Sequence, residues 1–175
     1  LLADRVHNEE AAAEAWRVVL EAKEDEEALL WLLKTARSHN DPHALVIYLE
    51  RLAACSGDVE RRRAYLMEQA DLLNDALKRR DEALRVLRYI VDSVDAGCVP
   101  ALQRLAAISE EAGDMRGLAE ALGRQLGLTE DPGLRIPLAE RLADLYEGPL
   151  RQANEAIAAL TEWATLDSDN ILPWR

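Results

Sequence analysis

The sequence predicts an all-α protein, a solenoid of antiparallel helix hairpins with about nine helices. Three observations predict it. Leu and Ala dominate the apolar residues, while Phe is absent and Gly (8) and Pro (6) are sparse. Ala and Leu suit helices, whereas strands draw on β-branched and aromatic residues. The chain also repeats itself: segment 26–98 falls on 99–171 without a gap, with sixteen of 73 positions identical. Finally, apolar residues recur at helical spacing between short turns, and no alternating apolar/polar run is long enough for a strand.

The repeat falls on core-type and cap-type residues. Ala28-Leu29 matches Ala101-Leu102, and Leu32 matches Leu105. Asp41, Leu45, Leu49 and Asp58 match Asp114, Leu118, Leu122 and Asp131. Ala70-Asp71-Leu72 matches Ala143-Asp144-Leu145, and Leu77, Glu82-Ala83 and Leu87 match Leu150, Glu155-Ala156 and Leu160. Leu172-Pro173 falls on Val99-Pro100, so residues 172–175 read as the start of a further repeat and 1–25 as the end of a preceding one. The chain begins Leu1-Leu2-Ala3 without Met and shows no polar capping helix, so it reads as a single solenoid fragment, 1–175, cut from a longer array.

Each 73-residue unit predicts four helices. A helix at about 8–22 comes first. The next runs from Asp25 or Glu26 to His39, with the stripe Leu29, Leu32, Leu33 and Ala36. Asn40-Asp41-Pro42 stops it, and Asp41 before Pro42 reads as an N-cap with Pro at the first helical position. Helix 42–55 follows, then Gly57-Asp58 as turn and cap, a longer helix at about 59–78, and helix 81–94 capped by Asp81 and ended by Asp95-Ala96-Gly97. In the second unit the helices are expected at about 99–112, 114–127, 132–147 and 150–166. Turns this short make neighbours antiparallel. Such a hairpin cannot bury both faces alone and must stack on the next.

Several segments resemble the tetratricopeptide (TPR) family, in which helix A and helix B pack through small residues. Leu142-Ala143-Asp144-Leu145-Tyr146 resembles its helix A, as does Leu105-Ala106 followed by Ala112-Gly113-Asp114. Glu155-Ala156-Ile157 to Leu160 and Trp163-Ala164, ending at Asp167-Ser168-Asp169-Asn170, resembles helix B, as does Glu82-Ala83-Leu84 to Leu87. The usual aromatics are mostly Leu here, and unit lengths alternate at about 33 and 40 residues where the family has about 34. Related repeats of HEAT or half-a-TPR type read similarly. The resemblance implies a right-handed superhelix whose helix A lines the concave face and binds a protein partner. It places Glu27, Leu30, Lys34 and Arg37 on the first helix A, and Met67, Asp71, Asn74 and Asp75 on the second. Gln103, Ala107, Glu110 and Glu111 follow on the third, and Glu140, Asp144 and Glu147 on the fourth. Charge along these positions changes from mildly basic to strongly acidic, which suits a basic or mixed-charge segment in the C-terminal half. The Lys/Asn/Arg clamp some members use for a C-terminal carboxylate has no match here.

The formal net charge of −12 argues against nucleic-acid and anionic-membrane binding. No run approaches the roughly 18 apolar residues of a membrane span. Cys55 and Cys98 are the only cysteines and lie outside any CxxC spacing, which reads as two thiols of a reducing, cytoplasmic compartment. His39 and His43 have a ligand-like spacing, but Asp41-Pro42 breaks the helix between them; with His7 they read as solvent residues rather than a zinc site. There is no HExxH, phosphate loop or nucleophile elbow, and no carboxylate pair stands out among 33 acids. The expectation is a non-enzyme without cofactor or metal. Arg61-Arg62-Arg63 and Lys78-Arg79-Arg80 flank the long helix at opposite ends and read as solvated helix-end charge, with a docking patch for an acidic partner as the alternative. Trp16, Trp31, Trp163 and Trp174 read as core, except that Trp31 matches Arg104 by repeat and so lies shallower. Two functions remain: a protein-binding scaffold, or a self-assembly module whose fragments stack end to end.

Overall fold

The computed structural model describes residues 11–16, 18 and 25–166. Among these the secondary structure is helical, without strands. The chain divides into two compact units, Leu1–Asp95 and Ala96–Arg175. In each, the densest packing is between helices consecutive in sequence.

The first unit holds α1 (Glu26–Ser38), α2 (Pro42–Cys55), α3 (Val59–Asp71) and α4 (Arg80–Tyr89). Aspartates start three of them. Asp25 accepts from Ala28 N–H at 2.9 Å, Asp41 from His43 and Ala44 N–H at 3.1 Å, and Asp58 from Glu60 and Arg61 N–H at 2.8 and 3.1 Å. Each satisfies helix-start donors that no turn of helix can reach. The stripe Ala28, Leu29, Leu32, Leu33 and Ala36 of α1 is buried against Leu45, Leu49 and Leu52 of α2. Fully burying one such Leu contributes about 1.5–3 kcal/mol. Ala13, in the helical segment at 11–16, joins the same core with Trp16, and Trp31 packs half-buried at its edge.

The second unit holds α5 (Val99–Ala112), α6 (Met115–Leu128), α7 (Pro132–Glu147) and α8 (Ala153–Leu166). Its core uses Ala101, Leu102 and Leu105 of α5 with Leu118 and Leu122 of α6, then Ala139, Leu142 and Ala143 of α7 with Ala156 and Trp163 of α8. The buried alanines let helix axes approach closely, and the leucines fill the space between them. No helix among the described residues is long and apolar enough to cross a membrane.

Local geometry recurs at an offset of 73 residues. The left-handed residues are Asn40 (φ 50°) with Gly113 (φ 73°), and Lys78 (φ 56°) with Arg151 (φ 52°). The wide turns recur too: Leu77 N–H donates to Leu72 O and Leu150 N–H to Leu145 O, both at 3.0 Å. Arg79 N–H then reaches Leu73 O at 2.7 Å, and Gln152 N–H reaches Tyr146 O at 2.8 Å.

Those wide turns correct two helix starts. Asp81 does not cap its helix: α4 begins at Arg80, the cap position is Arg79, and no side chain bonds there. The Arg79 amide is already spent on Leu73 O, and the Arg79 carbonyl accepts from Glu82 and Ala83 N–H at 3.1 Å, so Asp81 falls inside the first turn. Likewise α8 begins at Ala153 rather than 150, because Leu150 and Gln152 bond back to the helix before them. The long helix expected at 59–78 is regular only to Asp71 and continues as a π turn over Leu72–Ala76. The helix expected at 81–94 does the same over Ile90–Val94, closed by Asp95 N–H to Ile90 O at 2.8 Å. A π turn takes in one residue more than an α turn, and Leu73, Ile90 and Val91, which lie in these turns, are buried. Expectations for 1–10 (including His7), the rest of the 8–22 helix, Asp167–Asn170, 172–175 and Trp174 lie outside the described residues.

Candidate functional site

The fifteen residues that the family pattern singles out fall on α1, α3 with its π turn, α5 and α7, mostly at spacings of three and four, so that they form one stripe per helix. On α1, Leu30 (43 % exposed), Lys34 and Arg37 face solvent, as does Glu27. On α3 and its π turn, Met67, Asp71 and Asn74 are half-buried and Asp75 is exposed, with Asn74 Nδ2 donating to Asp75 Oδ1 at 2.8 Å. On α5, Gln103, Ala107, Glu110 and Glu111 are exposed; on α7, Glu140, Asp144 and Glu147 are.

The stripes of alternate helices meet through ion pairs that the sequence did not announce. Arg37 Nη2 lies 2.7 Å from both carboxylate oxygens of Glu68, joining α1 to α3. Arg141 Nη2 lies 2.9 Å from Glu110 Oε1, joining α5 to α7. Glu68 therefore offsets the basic charge of Arg37, and Arg141 offsets the acid of Glu110. The acidic character of the second unit's stripe rests mainly on Glu140, Asp144 and Glu147 of α7, with Glu111 of α5 beside them.

Three of the singled-out residues come together. Gln103, Ala107 and Glu110 line a hollow of about 170 Å³, closed by Leu122, Gln125, Leu138 and Arg141. Gln125 is 7 % exposed, and its Nε2 is buried without a hydrogen-bond partner. Its repeat counterpart is Leu52, a fully buried core residue. An amide thus stands where the first unit packs a hydrocarbon, beside a hollow of mixed lining.

Sequence reasoning missed a larger cleft. Between α2, α3 and α4 lies a cavity of about 790 Å³. Buried Val46, Ala53, Leu66, Gln69 and Leu73 form its floor. Ile47 (54 % exposed) and Tyr89 (49 %) stand at its rim with Arg62, Arg79, Arg85, Glu50 and Glu82. The signal for it was the two basic clusters: Arg62 and Arg79, from opposite ends of the long helix, line the same cavity. The other arginines of the first cluster go elsewhere, Arg61 to Glu26 at 3.5 Å and Arg63 to Asp95 at 2.6 Å.

His39 and His43 are both exposed, one just beyond the end of α1 and the other in α2, with the left-handed Asn40 between. His39 Nδ1 lies 2.9 Å from Thr35 O. Among the described residues no group of three or more His, Cys, Asp or Glu is placed to hold a metal ion. Cys55 is exposed at the end of α2, and Cys98 is buried before α5.

This is the architecture of a helical-hairpin protein with hollows on its helix faces. No family model matches the chain, and no curated protein matches it. Among solved structures, the chain is similar to a crystal structure of MamA, with a TM-score of 0.51 at 17 % identity over 95 % of this chain and 92 % of that one. A second crystal structure of MamA protein gives the same TM-score and identity, covering 95 % and 86 %. The likeness is one of fold.

Proposed function

We propose that this chain is a non-catalytic protein-interaction scaffold of TPR-like type, two 73-residue double repeats that hold a partner segment on the helix-A face. The 73-residue offsets of turns, left-handed residues and ion pairs support the repeat reading. The observation that carries the binding reading is the hollow lined by Gln103, Ala107 and Glu110. A buried amide nitrogen without a partner costs free energy in the unbound protein, of about 1–3 kcal/mol. A turn of the Gln125 amide towards the hollow would let the backbone carbonyl of an extended segment accept from Nε2 and recover it. The exposed acids of α7 favour a basic or mixed-charge segment, in keeping with a reducing, cytoplasmic setting.

The test is affinity capture with the whole protein, followed by charge reversal of Glu140, Asp144 and Glu147 to Lys. Capture of the partner should fall sharply, and what remains should lose its salt dependence, since charges at a rim act mainly on association rate. Capture undiminished by the triple reversal would remove the helix-A face from consideration.

A further inference from the structure

We propose that the cleft between α2, α3 and α4 is a second docking site, for a partner segment that presents a carboxylate beside an apolar side chain. It lies away from the helix-A stripe and prefers the opposite charge, so it stands or falls independently of the reading above.

The two units, matched position by position, differ at one arginine. In the first, an Arg62 Nη donates to Ser56 O at 2.7 Å; in the second, an Arg135 Nη donates to Thr129 O at 2.9 Å. These pairs are offset by 73 and do the same work, tying the end of one helix to the start of the next. Both arginines also keep a buried Nε without a partner. They differ at the other Nη. That of Arg135 is ion-paired with Glu162 of α8. The position 73 residues before Glu162 is Tyr89, which supplies no carboxylate. Among the described residues, the Arg62 guanidinium has Ser56 O as its one hydrogen-bond partner. The second unit completes the site internally, and the first leaves room for a carboxylate from outside.

The surroundings fit such a guest. Arg62, Arg79 and Arg85 outnumber Glu50 and Glu82 around the cavity, and Arg79 and Glu82 are paired with each other. This is a locally basic mouth on a chain of net charge −12. Ile47 and Tyr89 expose apolar surface at the rim over a floor that is apolar except for Gln69, and a cavity of about 790 Å³ is within the range of ligand clefts. A carboxylate drawn to Arg62 would gain a charge-assisted hydrogen bond, while an apolar neighbour covers Ile47 and Tyr89.

The test selects random twelve-residue peptides displayed on phage against the folded chain and measures the enriched peptides by fluorescence polarisation. Enrichment of Asp or Glu next to Leu, Ile or Trp is expected. Tyr89→Glu supplies the internal carboxylate that the second unit already has, and should weaken these peptides about tenfold or more, the scale of one charged contact. Because Tyr89 is half-exposed, the variant should melt with the parent; Arg85→Glu is the second variant should it not. The reciprocal Glu162→Tyr should create acidic-peptide binding in the second unit. No acidic enrichment, or acidic peptides indifferent to both Tyr89→Glu and Arg85→Glu, would overturn the proposal. So would sedimentation showing that Tyr89→Glu turns a dimer into a monomer, which would make the occupant a second copy of this chain.

Discussion

Arg37 and Glu68, 31 residues apart, meet with one guanidinium nitrogen 2.7 Å from both carboxylate oxygens; at an offset of 73 residues, Glu110 and Arg141 meet at 2.9 Å with the signs exchanged. The contact is kept while its polarity is reversed, so the geometry of the first helices of successive hairpins matters here more than the charge of either one.

That relationship predicts that the pair tolerates inversion. Arg37→Glu sets two carboxylates against each other, and the double variant R37E/E68R restores the attraction. The side chains are 52 % and 38 % exposed, so the coupling should be small, about 0.2–1 kcal/mol, and should shrink in salt. Urea denaturation of the single and double variants measures it. A double variant no more stable than the sum of the singles would show that the pair contributes nothing.

The two helix starts read alike in sequence predict unlike losses. Asp58 accepts two helix-start N–H bonds, so Asp58→Ala should cost about 0.5–2 kcal/mol. Asp81, inside the first turn of α4, acts only through its charge near the helix start, worth about 0.3–1 kcal/mol. Asp81→Ala costing as much as Asp58→Ala in chemical denaturation would contradict the observed start of α4.

Glycines separate by backbone conformation. Gly123 and Gly127 sit within α6 with open space where a Cβ would stand, so Gly→Ala at each should stabilise by about 0.5–1 kcal/mol. Gly113 also has open space, but its φ of 73° ends α5 in the left-handed region. There Ala should destabilise, by about 1–2 kcal/mol. Melting temperatures of the three variants decide the signs.

Gln125→Leu places at this position the residue its counterpart has at Leu52. It removes a buried amide nitrogen without a partner and should stabilise the second unit by about 1 kcal/mol. If Gln125 serves the helix-A hollow, the same change weakens partner capture while raising the melting temperature. Leu49→Ala is the reference for ordinary core damage: that side chain is fully buried, and its loss should cost about 2–5 kcal/mol.

The sequence by itself determined what depends on neighbours along the chain. Asp25, Asp41, Asp58 and Asp131 each accept helix-start N–H bonds, because a cap needs only the next two or three residues. The stripe Leu29, Leu32, Leu33 and Ala36 is buried, because a helix sets its spacing alone. The 73-residue offset was legible for the same reason. Tertiary structure decided the rest. That Asp81 lies inside its helix depends on where the wide turn before it spends the Arg79 amide. That Arg37 meets Glu68, that Arg62 and Arg79 share one cleft, and that Gln125 sits at a core position with an unpartnered nitrogen depend on how separate helices pack. Position along the chain constrains such meetings weakly, since an exposed Arg on a helix reads the same whether or not a carboxylate on the next hairpin faces it.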